Sequence, residues 1–315
     1  MHSHSSTHSD APQLSVIMCT FNPRSDHLSL ALHAIGLQSL CSSRFEVIVV
    51  DNNSSPPLDQ NNLQCLCRVP VELIRQPRQG LTHARTAGIQ KAQANLLVFV
   101  DDDNELASDY LENAIAIARQ NPTVGLFGGQ TDGVLERPVG RIKAQFLPQL
   151  GVRNHGSDRI EGPGDHWGEW EPIGAGMVVR AAVAQQFVSF VVAKATAGRL
   201  GRNGNALMSG EDSLFSRLGH ELGYTCAYEP ELKLKHHIAA SRLTLRYLAR
   251  LSYGHGRSHA VLNRLLGKAV ETDIPDRRAV LLFRNFVFRC KEEGIVRALG
   301  MYFWDLGYLD EVTTG

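Results

Sequence analysis

No stretch of this chain reaches the roughly 20 consecutive apolar residues that a membrane-crossing helix needs, so no span is expected. Neither sign of charge predominates: 32 Lys and Arg face 32 Asp and Glu. No overall field therefore draws the chain to nucleic acid. The six cysteines lack zinc spacing, since Cys65 and Cys67 enclose one residue and have no second pair nearby. Scattered thiols of this kind are expected in reduced form, in the cytoplasm. No apolar core follows a basic start, so no signal peptide is expected. There is no internal repeat and no long linker. The polar, His- and Ser-rich start predicts a disordered tail over 1–12, a metal-binding tail being the alternative reading.

The composition is that of a globular protein, with 43% hydrophobic and 20% charged residues in 315. That length suffices for one large α/β domain or two small ones. The first half alternates strand and helix signals. Leu14 to Cys19, Phe45 to Asp51, Val71 to Ile74, Leu96 to Val100 and Val124 to Gly128 read as strands. The run at Leu96 does not alternate at all, as in parallel strands covered on both faces. Leu28, Leu32 and Ile35 have helical spacing. Thr82 is expected to cap a helix reaching about Ala94, and Asp109 with Glu112 to open another that stops at Asn121-Pro122. Such an order predicts an α/β fold with a doubly wound, mostly parallel sheet flanked by helices. Gly, Pro and Trp weaken the pattern from about 130 to 210. The last 75 residues read as helical, with a break near Thr272 to Pro275.

In doubly wound sheets ligands bind beyond the carboxyl ends of the strands. The polar segments 20–24, 51–54 and 101–105 all fall at such ends. Asp101, Asp102 and Asp103 repel one another unless a cation or hydrogen-bond donors compensate. Hard divalent ions prefer oxygen ligands and add substrate phosphates, so the run suits a metal and diphosphate site, a solvated turn being the alternative.

The residues around this run resemble family 2 glycosyltransferases of the GT-A fold, in order from Leu14 to Arg257. Residues 15–24, with Thr20, Phe21 and Asn22, look like the family's opening strand and nucleotide loop. Residues 49–54, with Asp51 and Asn53, look like its second strand end. Gly80-Leu-Thr-His-Ala-Arg-Thr-Ala-Gly88 resembles its G-x-x-x-A-R-N-x-G segment and contributes Arg85. Residues 99–105 correspond to its D-x-D motif and residues 210–217 to its E-D motif. Thr86 stands where the family commonly has Asn, and Pro23 separates Asn22 from Arg24. The resemblance implies a single GT-A-like catalytic domain over 13–240, with a nucleotide-binding half at 13–130 and an acceptor half at 131–240. A helical extension over 241–315 follows.

The resemblance implies an inverting enzyme that moves a sugar from a nucleotide-sugar, such as a UDP-sugar, to a saccharide or lipid-linked hydroxyl acceptor. It implies Mn2+ or Mg2+, with Asp103 and His236 as ligands, and Asp101 and Asp102 near the ribose or metal. Asp212 would be the general base and Glu211 would orient it, although acids at a helix N-terminus need no such role. Strand alternation sends His236 and His237 to opposite faces. Phe21 stacks on a base or packs in the core, Asp51 contacts base or ribose or caps its turn, and Arg85 meets phosphate or a surface acid. Gly174, Ala175 and Gly176 allow close approach of an acceptor, and Trp170 offers a flat apolar face or packs inside. The loop at 198–204 is glycine-rich and basic but is not a Walker loop. The mixed basic and apolar residues from Arg242 to Leu251 and Phe283 to Arg289 suit either packing or peripheral contact with an anionic membrane. The competing readings are a sugar-phosphate nucleotidyltransferase and a non-catalytic sugar-binding protein.

Overall fold

The computed structural model describes residues 11–204, 206–269 and 278–314. Residues 1–10 of the expected tail and the helix break near Thr272 to Pro275 lie outside the described residues. Strands and helices alternate through β1 (Leu14–Thr20), α1 (Ser25–Gly36), β2 (Phe45–Asp51), α2 (Gln60–Leu66), β3 (Val71–Arg75), α3 (Leu81–Lys91) and β4 (Leu96–Asp101). Then come β5 (Asn104–Leu106), α4 (Tyr110–Gln120), β6 (Val124–Leu135), α5 (Arg141–Ala144), β7 (Ile160–Pro163), β8 (Val178–Arg180) and α6 (Ala181–Ala193). The chain continues through α7 (Glu211–Glu221), β9 (Thr225–Ile238), α8 (Leu245–Leu265), α9 (Arg278–Glu292) and α10 (Ile295–Thr314).

The expected α/β architecture is present as one nine-stranded sheet in the order β3-β2-β1-β4-β8-β6-β9-β5, with β7 on β9. The first four strands by sequence pair in parallel. Beyond β4 the sheet is mixed, because β8 runs antiparallel between β4 and β6 while β6 and β9 run parallel. Strands β1, β2 and β4 are buried on both faces, which is why their sequences do not alternate. Leu28, Leu32, Leu63 and Leu111 cover one face, while Ala84, Ile89, Phe187, Leu214 and Phe215 cover the other. Each of these Leu, Ile and Phe side chains contributes about 1.5–3 kcal/mol relative to exposure.

Two expected caps differ. Helix α3 starts at Leu81 after Gly80, whose φ of 128° favours glycine, and the Thr82 hydroxyl donates instead to Leu200 O at 2.6 Å. Asp109 precedes α4 without a side-chain cap, because Glu112 Oε2 accepts from Ser39 Oγ at 2.7 Å rather than closing a capping box.

From Ala240 onward the described elements are helical. Arg242 belongs to a 3-10 turn (Ala240–Leu243), and α8 begins only after Thr244, whose side chain accepts from Tyr247 N. Leu248 and Leu251 of α8 are buried with Phe146, Leu150 and Ile238, so this face packs on the domain. Helix α10 crosses α8 closely: a Cβ on Gly256 would meet Trp304 O at 1.9 Å, and one on Gly307 would meet Tyr253 O at 2.0 Å. Only glycine permits that crossing. Among the described residues no helix is long and apolar enough to cross a membrane.

Candidate active site

Register aligns the strand ends. Thr20 lies beside Asp51, and Cys19 lies beside Asp101. Because β8 runs antiparallel to β4, the segment leading into it, 174–176, arrives at this same edge. The pairing of Asn104 with His236 brings β9 there as well. A cleft of about 960 Å³ opens at this edge, between the strand ends, the start of α7 and the wall formed by α8.

Asp101, Asp102 and Asp103 line its floor. The fully buried Asn104 shapes their turn, accepting from Asp101 N at 3.2 Å and donating to Asp103 Oδ1 at 3.1 Å. Burial and the Asp103 carboxylate push Asp102 up to about 7, and the Thr20 hydroxyl donates to it. Burial and Asp103 also raise Asp101. Burial acts in the same direction on Asp103, but His236 and Arg242 outweigh it and hold this carboxyl down to about 2. His236 Nε2 stands 3.3 Å from Asp103 Oδ2. His237 turns to the other face, as strand alternation requires, and meets Glu105.

Two ligand atoms bonded side by side to one octahedral cation at about 2.1 Å stand roughly 3 Å apart. Asp103 Oδ2 and His236 Nε2, 3.3 Å apart, fit that spacing. An imidazole in the set suits Mn2+ better than Mg2+. Among the described residues no group of three or more His, Cys, Asp and Glu is arranged to hold a metal. The remaining ligands would be phosphate oxygens and water, the usual complement of such ions.

Arg85 lies on the cleft floor and is 1% exposed. Its Nη1 is 3.3 Å from Glu211 Oε1, and its guanidinium sits 5.0 Å over the Phe99 ring. Burial and the adjacent Asp212 raise Glu211 to about 7 despite Arg85. Buried polar atoms without a hydrogen-bond partner gather in this cleft: Arg85 Nη1, Arg202 Nη1, Arg242 Nε, Glu211 Oε2 and His236 Nδ1. Unsatisfied buried groups are costly, and several cationic ones around one cavity suit an anionic ligand.

Asp212, on the first turn of α7, also lines the cleft. Ser213, the next residue, donates to Glu171 Oε1 at 2.6 Å, and Glu171 Oε2 pairs with Arg217 at 2.8 Å. This buried pair anchors the turn that carries Asp212. Phe21, at 39% exposure, together with Gly174, Ala175 and the 70% exposed Trp167, completes the lining.

Not every expected residue faces the cleft. Asp51 is buried, and its two oxygens accept from Ser54 N at 2.9 Å and Leu58 N at 3.0 Å, which shapes the turn after β2. Asn22 and Asn53 both adopt positive φ, 48° and 69°, and Asn22 Oδ1 accepts from Ser55 N. Asn52 takes the inward place that Asn53 was expected to hold: it lines the cleft and ties Gln76 O, Arg78 O and Gly80 N together. Gly176 lies behind the lining, its carbonyl accepting from Tyr110 Oη at 2.5 Å. Trp170 packs against Gly162 and Gly168 and donates to Pro163 O. Thr86 folds its hydroxyl back to Thr82 O, and Arg24 points outward to Asp26 and Glu136.

The family described as "Glycosyl transferase family 2" matches residues 15–186. The succinoglycan biosynthesis protein ExoM of Rhizobium meliloti (strain 1021) is 23% identical over 248 residues, 78% of this chain and 73% of that one. The match covers only 20% of another curated relative's length. Among solved structures, S. aureus TarS 1-349 in complex with UDP-GlcNAc superposes with a TM-score of 0.52 at 14% identity, covering 92% of this chain and 90% of that one. GalNAc-T7 with UDP, GalNAc and Mn2+ superposes with a TM-score of 0.50 at 15% identity, covering 80% of this chain and 51% of that one. At these identities the likeness is one of fold.

Proposed function

The chain belongs to glycosyl transferase family 2, and from that premise we propose that it moves a sugar from a nucleoside diphosphate-sugar to a hydroxyl acceptor, with inversion at the anomeric carbon. One observation carries this reading: buried nitrogens of Arg85, Arg202 and Arg242 that lack a hydrogen-bond partner share one cleft with Asp101 to Asp103 and Asp212. Family membership favours this reading over a nucleotidyltransferase or a non-catalytic sugar-binding protein.

In the proposed reaction Asp212 accepts the proton of the acceptor hydroxyl. That oxygen bonds to the anomeric carbon while the bond from that carbon to the diphosphate oxygen breaks, and the electron pair leaves on the diphosphate. Arg85, Arg202 and Arg242 offset the growing charge. Asp103 and His236 would hold a divalent cation, Mn2+ or Mg2+, which when bound adds Lewis-acid neutralisation of the same phosphates. Glu211 holds Arg85 in place, and Asn104 holds the acidic turn. Phe21 at the rim suits stacking on a nucleobase, and Thr20 with Asn52 shapes the pocket below it. Asp51, Asn22 and Asn53 serve by fixing the turn that borders this pocket. Gly174 and Ala175, with Trp167 rather than Trp170 at the mouth, form the proposed approach for a saccharide acceptor.

Fold likeness to a UDP-GlcNAc complex and to a UDP and Mn2+ complex supports starting with UDP-sugars. Incubating the protein with a UDP-sugar panel, Mn2+ and simple glycosides tests the reading. It predicts release of UDP and a product whose anomeric configuration, read by NMR, is opposite to that of the donor. Retained configuration overturns inversion, and absence of turnover with every nucleotide-sugar overturns the activity. Exposed Phe283 and Phe288 on α9, beside Arg284 and Lys291, support peripheral contact with an anionic membrane carrying a lipid-linked acceptor. Flotation with anionic vesicles tests that contact.

A further inference from the structure

Arg242 does not lie on the amphipathic helix that its sequence neighbours form. The 3-10 turn after β9 points its guanidinium into the cleft, where Nη1 is 3.0 Å from Asp103 Oδ2 and 3.2 Å from His236 Nε2. Arg242 Nη1 thus donates to Asp103 Oδ2 and stands within hydrogen-bond distance of the one His236 nitrogen that faces this carboxylate. A neutral imidazole has a single acceptor lone pair. A metal bonded at Nε2 and Oδ2 needs a lone pair at each, and the Arg242 guanidinium stands against both atoms.

We propose that Arg242 is an internal competitor for the divalent cation, holding Asp103 and His236 until a diphosphate draws its guanidinium away. The inference rests on the reading of this cleft as a nucleotide-sugar site. Arg242 Nε is buried without a hydrogen-bond partner, as are Arg85 Nη1 and Arg202 Nη1 in the same cleft, so an arriving phosphate offers Arg242 Nε an acceptor that its present position lacks. Metal and diphosphate then favour each other beyond direct coordination, because each removes the same obstacle to the other. Such coupling is reciprocal by linkage. The practical consequence is a protein that takes up the free ion weakly and captures it together with its nucleotide.

The test is Mn2+ binding by the full chain without nucleotide, read by calorimetry and by the loss of free-ion EPR signal. Arg242→Gln should bind Mn2+ about tenfold more tightly than wild type, the order expected when one charge-assisted hydrogen bond leaves the competition. Inorganic pyrophosphate should tighten Mn2+ binding less in Arg242→Gln than in wild type. Arg242→Lys, which keeps the charge, should stay near wild type. Arg202→Gln removes a cleft cation that touches neither ligand atom and should change Mn2+ affinity little. Unchanged or weaker binding in Arg242→Gln overturns the proposal, as does equal tightening in Arg202→Gln. If Arg242→Gln does not fold, the guanidinium 15N signals of Arg242 in the wild type decide instead: they should shift on adding Mg2+ with pyrophosphate, and constancy overturns the proposal. Asp103→Asn should abolish Mn2+ binding. Retained binding there sinks the metal site itself, whereas loss there with no gain in Arg242→Gln sinks only the competition.

Discussion

Gly174 is glycine because Arg85 is behind it: a Cβ at 174 would stand 2.5 Å from Arg85 Nη2. The clash falls on the far end of a flexible side chain rather than on backbone, so the fold can yield by moving the guanidinium. Gly174→Ala should therefore melt close to wild type while binding nucleoside diphosphate about tenfold more weakly, a loss of about 1.4 kcal/mol. Calorimetric titration with UDP checks this, and undiminished affinity would show that Arg85 does not serve the diphosphate.

Arg85 and Glu211 form a buried pair whose members depend on each other. Removing either alone leaves an uncompensated buried charge, at a cost of about 3–5 kcal/mol. Arg85→Met and Glu211→Met should each destabilise strongly, and the double variant should unfold at a denaturant midpoint well above that expected from adding the two losses. Additive losses would mean that the two side chains stabilise the fold independently.

Burial in the cleft wall, reinforced by Arg202, holds His255 down to about 4. The unfolded residue titrates near 6.5. Between those values the unfolded chain binds a proton that the folded chain refuses, so stability rises with pH across that window and is lost as acid is added. His255→Asn should lose less melting temperature than wild type between pH 7 and pH 5. Parallel pH profiles for the two proteins would contradict the assignment.

Much of this cleft was legible in the sequence, for reasons particular to each residue. Asp101 to Asp103 follow a strand that cannot be solvated on either face, so they had to emerge at a sheet edge. Strand alternation put His236 and His237 on opposite faces but did not say which of them meets the cleft. What stayed hidden depends on contacts between residues distant in the chain. Asn104 is buried by its pairing with His236, 132 positions away along β9. Glu171 finds Arg217 across the cleft wall, and nothing in its neighbourhood of Trp and Pro marks it. Arg242 sits in an apolar, basic run whose helical period hid it, because the turn that redirects it depends on where β9 ends. For Trp170 and Asp51 the sequence left two roles open, ligand contact or local structure, and in the fold Trp170 packs against Gly162 and Gly168 while Asp51 accepts from the amides of Ser54 and Leu58.

The central claim is that Asp212 acts as the base in a cleft whose nucleotide-sugar site is otherwise complete. It is tested most directly by measuring transfer and nucleotide affinity on one preparation of Asp212→Asn, with the donor that the panel identifies. A positioned base contributes about 100- to 10,000-fold, so transfer should fall by that order while the Kd for the nucleotide stays within about threefold of wild type. Transfer near the wild-type rate in Asp212→Asn would contradict the account.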